Sequence, residues 1–534
     1  MRRVAALVVG AVLLPAACVS SSVPSPRHLA AAQVLRLVAA EDVGTLDPAK
    51  VHQPSVELGL VRNVFGGLYR FDDQLGLQDD LAAGKPVVSA DGRVWTFHIR
   101  KDAIFSNGSP VRASDVVYSW NRTAALTGYA NSYIFEPVVG WQDVQDGLRN
   151  TLAGLSASDE NTVVAHLTAA AGWWWVELGL WGAAVVNQRT IQEHGENDWW
   201  RTPNGLVGTG PFKLSTWTAA SLDFVPVPHW WRGSTGNLSK VHIDVVGDEA
   251  AQLRGYSDNQ YDIVGYLPPT SGPTASDAML SKFRASGELS TRPWLRTSFM
   301  GFPAAGRFGA NATPRQALSL GLDRSKLAVT GCPALTSCAP ATGGLIPGGL
   351  AGNLGARNDP NAAFNLAKAR ALLQRWDPSG SQRKGLRVGA LEGHKELANA
   401  VAAQWRDGLG LEVQVQIADP ATIRLNASRG LYDVTVDGNL ADYNSPHNWL
   451  FVASSVHCPY ANPTFQQLAA AADAKLPNDA LPQYRQAFQL LADDAACPAL
   501  LYKQGTLLIK PWVSGAGANA LYEYEWTGIG IFEH

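Results

Sequence analysis

The stretch YDVTVDGNLADYNSP, Tyr432 to Pro446, starts as alternating apolar residues and runs past Leu440 and Ala441 into a carboxylate, Asp442. A carboxylate at the end of an apolar strand must find a cation or several donors, or else take up a proton. No Lys or Arg lies between Arg429 and Lys475, so the partner is expected from elsewhere in the fold or from a ligand. The chemistry on offer is charge pairing with an ammonium group. A unit pair 4 Å apart interacts by about 4 kcal/mol at an effective dielectric near 20, before desolvation. A cap on the following turn is the bland alternative for Asp442.

Catalytic spacings are absent. There is no HExxH, no GxSxG and no GxxxxGK, and the run from Gly208 to Pro211 lacks the rest of a dinucleotide loop. Neither an enzymatic activity nor a cofactor is expected. The chain has five cysteines. With Cys18 set aside, Cys332 and Cys338 (CPALTSC) are close enough to close a local loop, and Cys458 and Cys497 remain to pair. Neither pair has the CxxC spacing of a metal site, so no metal is expected.

The elements that position these residues begin after an export signal. MRRVAALVVGAVLLPAA, residues 1–17, joins a basic start to a short apolar run and small residues, then reaches Cys18. It resembles a bacterial lipoprotein signal, with Pro15 where Leu is usual, which implies a lipid on Cys18 and a mature chain held to the membrane from outside. Residues 18–33 are Ser-, Pro- and Ala-rich and read as a tether. No later run of 18 apolar residues suggests a second span. An exported chain meets an oxidising compartment, which favours disulfides at the four remaining cysteines.

From Val34 onward, strand-like and helical stretches alternate. LRLVAAE and RVWTFHIR read as strands, and VELGLVRNVFGGL, SDVVYSWNRTAAL and ELANAVAAQWRDGL as helices, the second starting at Ser114 as N-cap. The Gly/Pro-rich stretch from Pro340 to Pro360 reads as a long surface loop. With 534 residues, 46% hydrophobic and 17% charged, the expectation is an α/β protein of two to four domains with mixed sheets. A net charge of −3 gives no reason to expect nucleic acid. The 18 Trp are expected mainly in cores, with stacking surfaces in a cleft as the alternative.

Several blocks taken together resemble the extracellular solute-binding proteins of ABC importers, peptide/nickel family, above all the oligopeptide- and dipeptide-binding proteins. They include DGRVWTFHIRKDAIFSNGSPVRASDVVYSWNR, LVGTGPFKLSTW, PHWWRG, ATPRQALSLGLDR, LYDVTVDGNLADYNSP and LIKPWVSG, spread over residues 34–534. The resemblance implies two lobes closing on the ligand like a trap, with an extra domain inserted in the first. The implied division is 34–64, 186–294 and 504–534 for lobe I, 65–185 for the extra domain, and 295–503 for lobe II. It implies a monomer that hands short peptides to a permease and its ATPase.

In oligopeptide-binding relatives the aspartate of G-x-x-A-D-Y-N-x-P receives the ligand's α-ammonium. Here the pattern spans Gly438, Leu440, Asp442, Asn444 and Pro446, with Gly438 to Leu440 expected to pair with an extended peptide backbone. His52 and Gln53 occupy the first-lobe segment that pairs with the peptide, although Pro54 lacks a donor. Tyr129 matches a tyrosine packing on the peptide, and Trp294 an aromatic at the lobe boundary. His394 matches a histidine meeting the C-terminal carboxylate of four-residue peptides, whereas Val436 and Ala427 stand where relatives place arginines and Asn439 where they place a tryptophan. About four residues is therefore the expected peptide length. The alternative is a receptor of the same fold for an oligosaccharide, a nickel complex or haem, with exposed His52, His394 or His447 as iron ligands.

Overall fold

A computed structural model describes residues 28–534 except 54, 268–276, 333–337, 357, 457, 518 and 522. Cys18 and Pro54 lie outside the described residues. Among the described residues no helix is long and apolar enough to cross a membrane.

The architecture is α/β and two-lobed, built on one mixed sheet of eleven strands. At one end, Leu386–Ala390 runs parallel to both Val413–Ile417 and Val434–Leu440. At the other, Val34–Ala39 runs parallel to Lys240–Val245 and Ile263–Leu267. Parallel strands covered on their faces read as nearly continuous apolar runs, as VLRLVA does. The helix Lys395–Leu409 buries Leu397, Ala398, Val401, Ala402, Trp405 and Leu409, one face at helical spacing.

Two long antiparallel strands, Leu289–Gly301 and Ala499–Ile509, join the halves of the sheet. Their ladder holds from Leu289↔Leu508 to Pro293↔Gln504, then resumes at Thr297↔Tyr502, so two extra residues bulge from the first strand. Pro293 has no N–H to continue the ladder, and proline inside a sheet is confined to such irregularities. The break separates a core around Leu37, Val61 and Ile243 from one around Met300, Val401, Trp405 and Val434.

A separate four-stranded sheet lies within residues 87–166. Its Trp95 and Phe97 meet Trp174 edge-on at 5.5 and 5.9 Å. Ten of the 18 tryptophans are buried, and seven of those, Trp95, Trp120, Trp174, Trp199, Trp405, Trp449 and Trp526, fully so, which makes core packing the commoner use of this residue.

Two local expectations need correction. The helix expected from Ser114 runs Ala113–Ala125, and the Asp115 carboxylate accepts the Arg112 N–H at 2.8 Å. The carboxylate one turn in thus satisfies the backbone donor at the helix start. The Pro340–Pro360 stretch is not a surface loop throughout, because Leu345 and Ile346 are buried. Its buried carbonyls are met by side chains. Asn353 donates to Ile346 O at 2.6 Å, and the Tyr502 hydroxyl donates to Gly344 O at 2.7 Å.

Candidate functional site

The strand Val434–Leu440 changes character half-way. Val434 pairs with Leu386–Ala390, and Thr435 and Val436 are flanked on both sides, by that strand and by Leu289–Gly301. The parallel neighbour then stops at Ala390↔Val436, while the antiparallel one continues to Arg296↔Leu440. Among the described residues, the edge from Asp437 to Leu440 is therefore open on one side. An open edge presents backbone donors and acceptors that a second chain can satisfy. Asp437, Gly438 and Asn439 line a cavity of about 400 Å³ there. Gly438 is required by close approach, since a Cβ would stand 2.8 Å from His394 Nε2.

Beyond that edge the chain enters a second cavity, of about 700 Å³, lined by Leu440 and Asp442 on one side and by Tyr133, Trp173 and Glu177 on the other. Asp442 is half-buried. Its Oδ2 accepts from Asn448 Nδ2 at 3.4 Å, and its backbone N–H donates to Asn448 Oδ1 at 3.2 Å. Burial raises its pKa above the usual carboxylate range, against the opposing effect of hydrogen bonds from Asn448 and Tyr133. Among the described residues no Lys or Arg neutralises it. The charge question posed by the sequence has no answer within the described chain.

Glu177 sharpens the imbalance. It is 2% exposed, and burial drives its pKa well above the usual range despite a hydrogen bond from the Tyr443 hydroxyl, with Asp442 and Glu136 adding to the rise. The cavity wall carries four carboxylates, Glu136, Glu177, Asp442 and Asp473, and neither Lys nor Arg. Its imidazole, His447, is held by Asp473 at 2.7 Å and stacks on Trp173 with ring centres 3.9 Å apart.

His394 belongs to a region of opposite sign. It is 6% exposed, not at the surface as the haem alternative assumed, because the helix it precedes presses it against the glycine at 438. Burial lowers its pKa to about 4, with Arg296 and Lys503 adding to the fall and Asp437 opposing it. Lys503 is itself lowered to about 8, by burial and then by Arg296. Arg296 stands opposite Leu440 in the ladder and lies 5.8 Å from the Trp294 ring. Three basic side chains thus gather where the two long strands cross.

The remaining expected contacts scatter. Tyr129 is 44% exposed, with Lys50 Nζ 5.9 Å from its ring. His52 is exposed, while both polar atoms of the Gln53 amide are buried without a partner. Asn444 accepts the Ala351 N–H at 2.9 Å and contacts Leu75 O at 3.5 Å, so its side chain ties loops together. None of His52, Gln53, Tyr129, Trp294, His394 and Asn444 is among the residues lining the Asp442 cavity. Sequence reasoning missed Glu177, Arg296 and Lys503. Glu177 had left a signal as the only charged residue between Glu160 and Arg189. Both expected disulfides, Cys332–Cys338 and Cys458–Cys497, are formed. Among the described residues, no cluster of side chains is placed to hold a metal ion.

Residues 76–456 match the family described as bacterial extracellular solute-binding proteins, family 5 Middle. The chain is 28% identical to the periplasmic murein peptide-binding protein MppA of Escherichia coli over 529 residues, 94% of this chain and 93% of that one. It is 27% identical to the periplasmic oligopeptide-binding protein OppA of the same organism, covering 96% of this chain and 95% of that one. It superposes on the unliganded open form of MppA with a TM-score of 0.84, at 26% identity and covering 96% and 99% of the two chains. A second MppA structure gives 0.65, at the same identity and covering 95% and 100%.

Proposed function

Since the chain belongs to the bacterial extracellular solute-binding proteins, family 5, and is therefore a binding protein and not an enzyme, we propose that it is the peptide receptor of an ABC importer. In this reading it is exported, anchored outside the cell membrane by lipid on Cys18, and delivers short peptides to a permease and ATPase. The lobes are divided at 34–64, 186–294 and 504–534 against 295–503, with 65–185 as the extra domain. The peptide lies along the open edge from Asp437 to Leu440, its backbone completing that ladder and its α-ammonium meeting Asp442. Backbone pairing of this kind is blind to side chains, so several sequences are accepted.

The observation that supports this most is the half-buried Asp442 carboxylate with no cation of the described chain beside it. A neutral oligosaccharide would leave it unanswered, and buried His394 is poorly placed for haem iron. Removing one partner of a buried ion pair costs about 3–5 kcal/mol, or roughly two to three and a half decades of affinity. Titration calorimetry with tetra-alanine and its N-acetyl form tests this on wild type and Asp442→Ala. Acetylation should weaken wild-type binding by that amount and do little further harm in the variant. Equal binding of both peptides to wild type would sink the assignment. Retention of processed Cys18→Ala protein on membranes would separately remove the lipid anchor.

A further inference from the structure

One ammonium answers Asp442 and leaves Glu177 unanswered. Glu177 ends the short helix Trp174–Glu177 on the opposite wall of the same cavity. Its carboxylate takes one hydrogen bond, from the Tyr443 hydroxyl, and Oε2 has no partner. Polar atoms this deeply buried nearly always have one. The other charged groups on the wall do not supply it. Glu136 and Asp442 carry the same sign, and His447 is committed to Asp473. The four carboxylates are not gathered to share a metal ion, since no group of three could hold one among the described residues. The remaining wall combines neutral polar groups, among them Asn439, Asn448 and Gln466, with an apolar part made by Trp173, Leu450, Phe451 and Phe465. Such a wall suits the methylene stem of a long side chain with a charged end, and the rings themselves favour a cation over their faces.

We infer that this cavity takes a second cationic group of the ligand, received by Glu177, so that the preferred peptides carry a positively charged side chain on their first residue. The inference rests on the peptide reading above, because it places the first residue beside Asp442. About 700 Å³ is ample for a lysine side chain and lies within the roughly 300–1,000 Å³ of small-molecule sites. Glu177 then selects among peptides, while Asp442 and the strand edge bind all of them.

Calorimetry with three tetrapeptides tests it: Lys-Ala-Ala-Ala, the same peptide with its side-chain amine acetylated, and norleucine-Ala-Ala-Ala. A charge-assisted hydrogen bond predicts that wild type binds the lysine peptide at least about tenfold more tightly than the other two. In Glu177→Gln that preference should disappear, the lysine peptide falling to the affinity of the norleucine peptide. Indistinguishable binding of the three peptides by wild type overturns the inference, as does a preference that survives in Glu177→Gln. Should the variant fail to fold, the wild-type comparison decides alone. If all three bind equally and still require a free N-terminus, only the second-cation inference falls. If none binds, or N-terminal acetylation changes nothing, the peptide reading falls and takes this inference with it.

Discussion

The cavity around Asp442 and Glu177 and the cluster of Arg296, Lys503 and His394 are mirror images in charge. The first gathers carboxylates with no Lys or Arg on its wall. In the second, Arg296 and His394 feel the charge of Asp437, and Lys503 feels that of Arg296. Burial is the largest cause of the pKa shift at each, upward for the acids and downward for the bases. Both regions border one short stretch of strand, since Arg296 pairs with Leu440 and His394 touches Gly438, while Asp442 follows two residues later. Two excesses of opposite sign beside one open edge are what a zwitterion with an extended backbone would balance. Neither region is satisfied by the other, because each is held by its own packing.

The largest effect should come from removing both charges of the ligand. A tetrapeptide acetylated at its N-terminus and amidated at its C-terminus keeps its backbone hydrogen bonds and loses both pairs. Each loss strands a buried charge and costs about 2–5 kcal/mol, so the doubly blocked peptide should show no measurable heat of binding at micromolar concentrations. Affinity within tenfold of the free peptide would break the comparison, leaving the two regions as features of the empty fold.

A single-ended test is smaller and tells the regions apart. Lys503→Met should weaken binding of a free peptide by about 2 kcal/mol while leaving the C-terminally amidated peptide nearly unaffected. Asp442→Ala should respond to the N-terminal block instead. If Lys503→Met and Arg296→Met both treat amidated and free peptides as wild type does, the basic cluster has no part in binding the C-terminus.

The two regions also differ in how far the sequence exposes them. Asp442 sits in a contiguous pattern with the end of its own strand, so local alternation and the absence of nearby Lys or Arg were enough to single it out. Glu177 stood alone in a long apolar run, a signal that was readable but that no motif or resemblance drew attention to. Arg296 and Lys503 were not legible, because their burial follows from pairing between strands some two hundred residues apart. The α/β class, the mixed sheet and both disulfides followed from periodicity and cysteine parity. The Pro340–Pro360 stretch did not, since Gly and Pro announce turns but say nothing of whether Asn353 and Tyr502 will satisfy a buried backbone. His394 was found by resemblance and mistaken in its surroundings, for a histidine's type does not disclose the glycine it packs on.

The smallest effect concerns the empty protein and its response to acid. The folded pKa of His394 is about 4 against an ordinary 6.5. Between those values the unfolded chain binds a proton at this residue and the folded one does not, so acidification favours unfolding. Its contribution is therefore complete above pH 6.5 and is lost as pH falls toward 4. From pH 6.5 to 5 the loss integrates to about 1.5 kcal/mol. Asp442 and Glu177, raised in the fold, work the other way. The folded state holds their protons more tightly, so their contribution is present at low pH and fades as pH rises past the ordinary carboxylate range. The regions thus pull stability in opposite directions over one window. Single variants uncover the hidden slopes. Denaturant melts of His394→Gln should show relative stabilisation on going from pH 6.5 to 5, by about 1.5 kcal/mol against wild type. Glu177→Gln should show the reverse trend. A His394→Gln difference that does not change with pH would mean that this ring takes up its proton in the fold as readily as in the unfolded chain, and the opposition of the two regions would reduce to the acidic cavity alone.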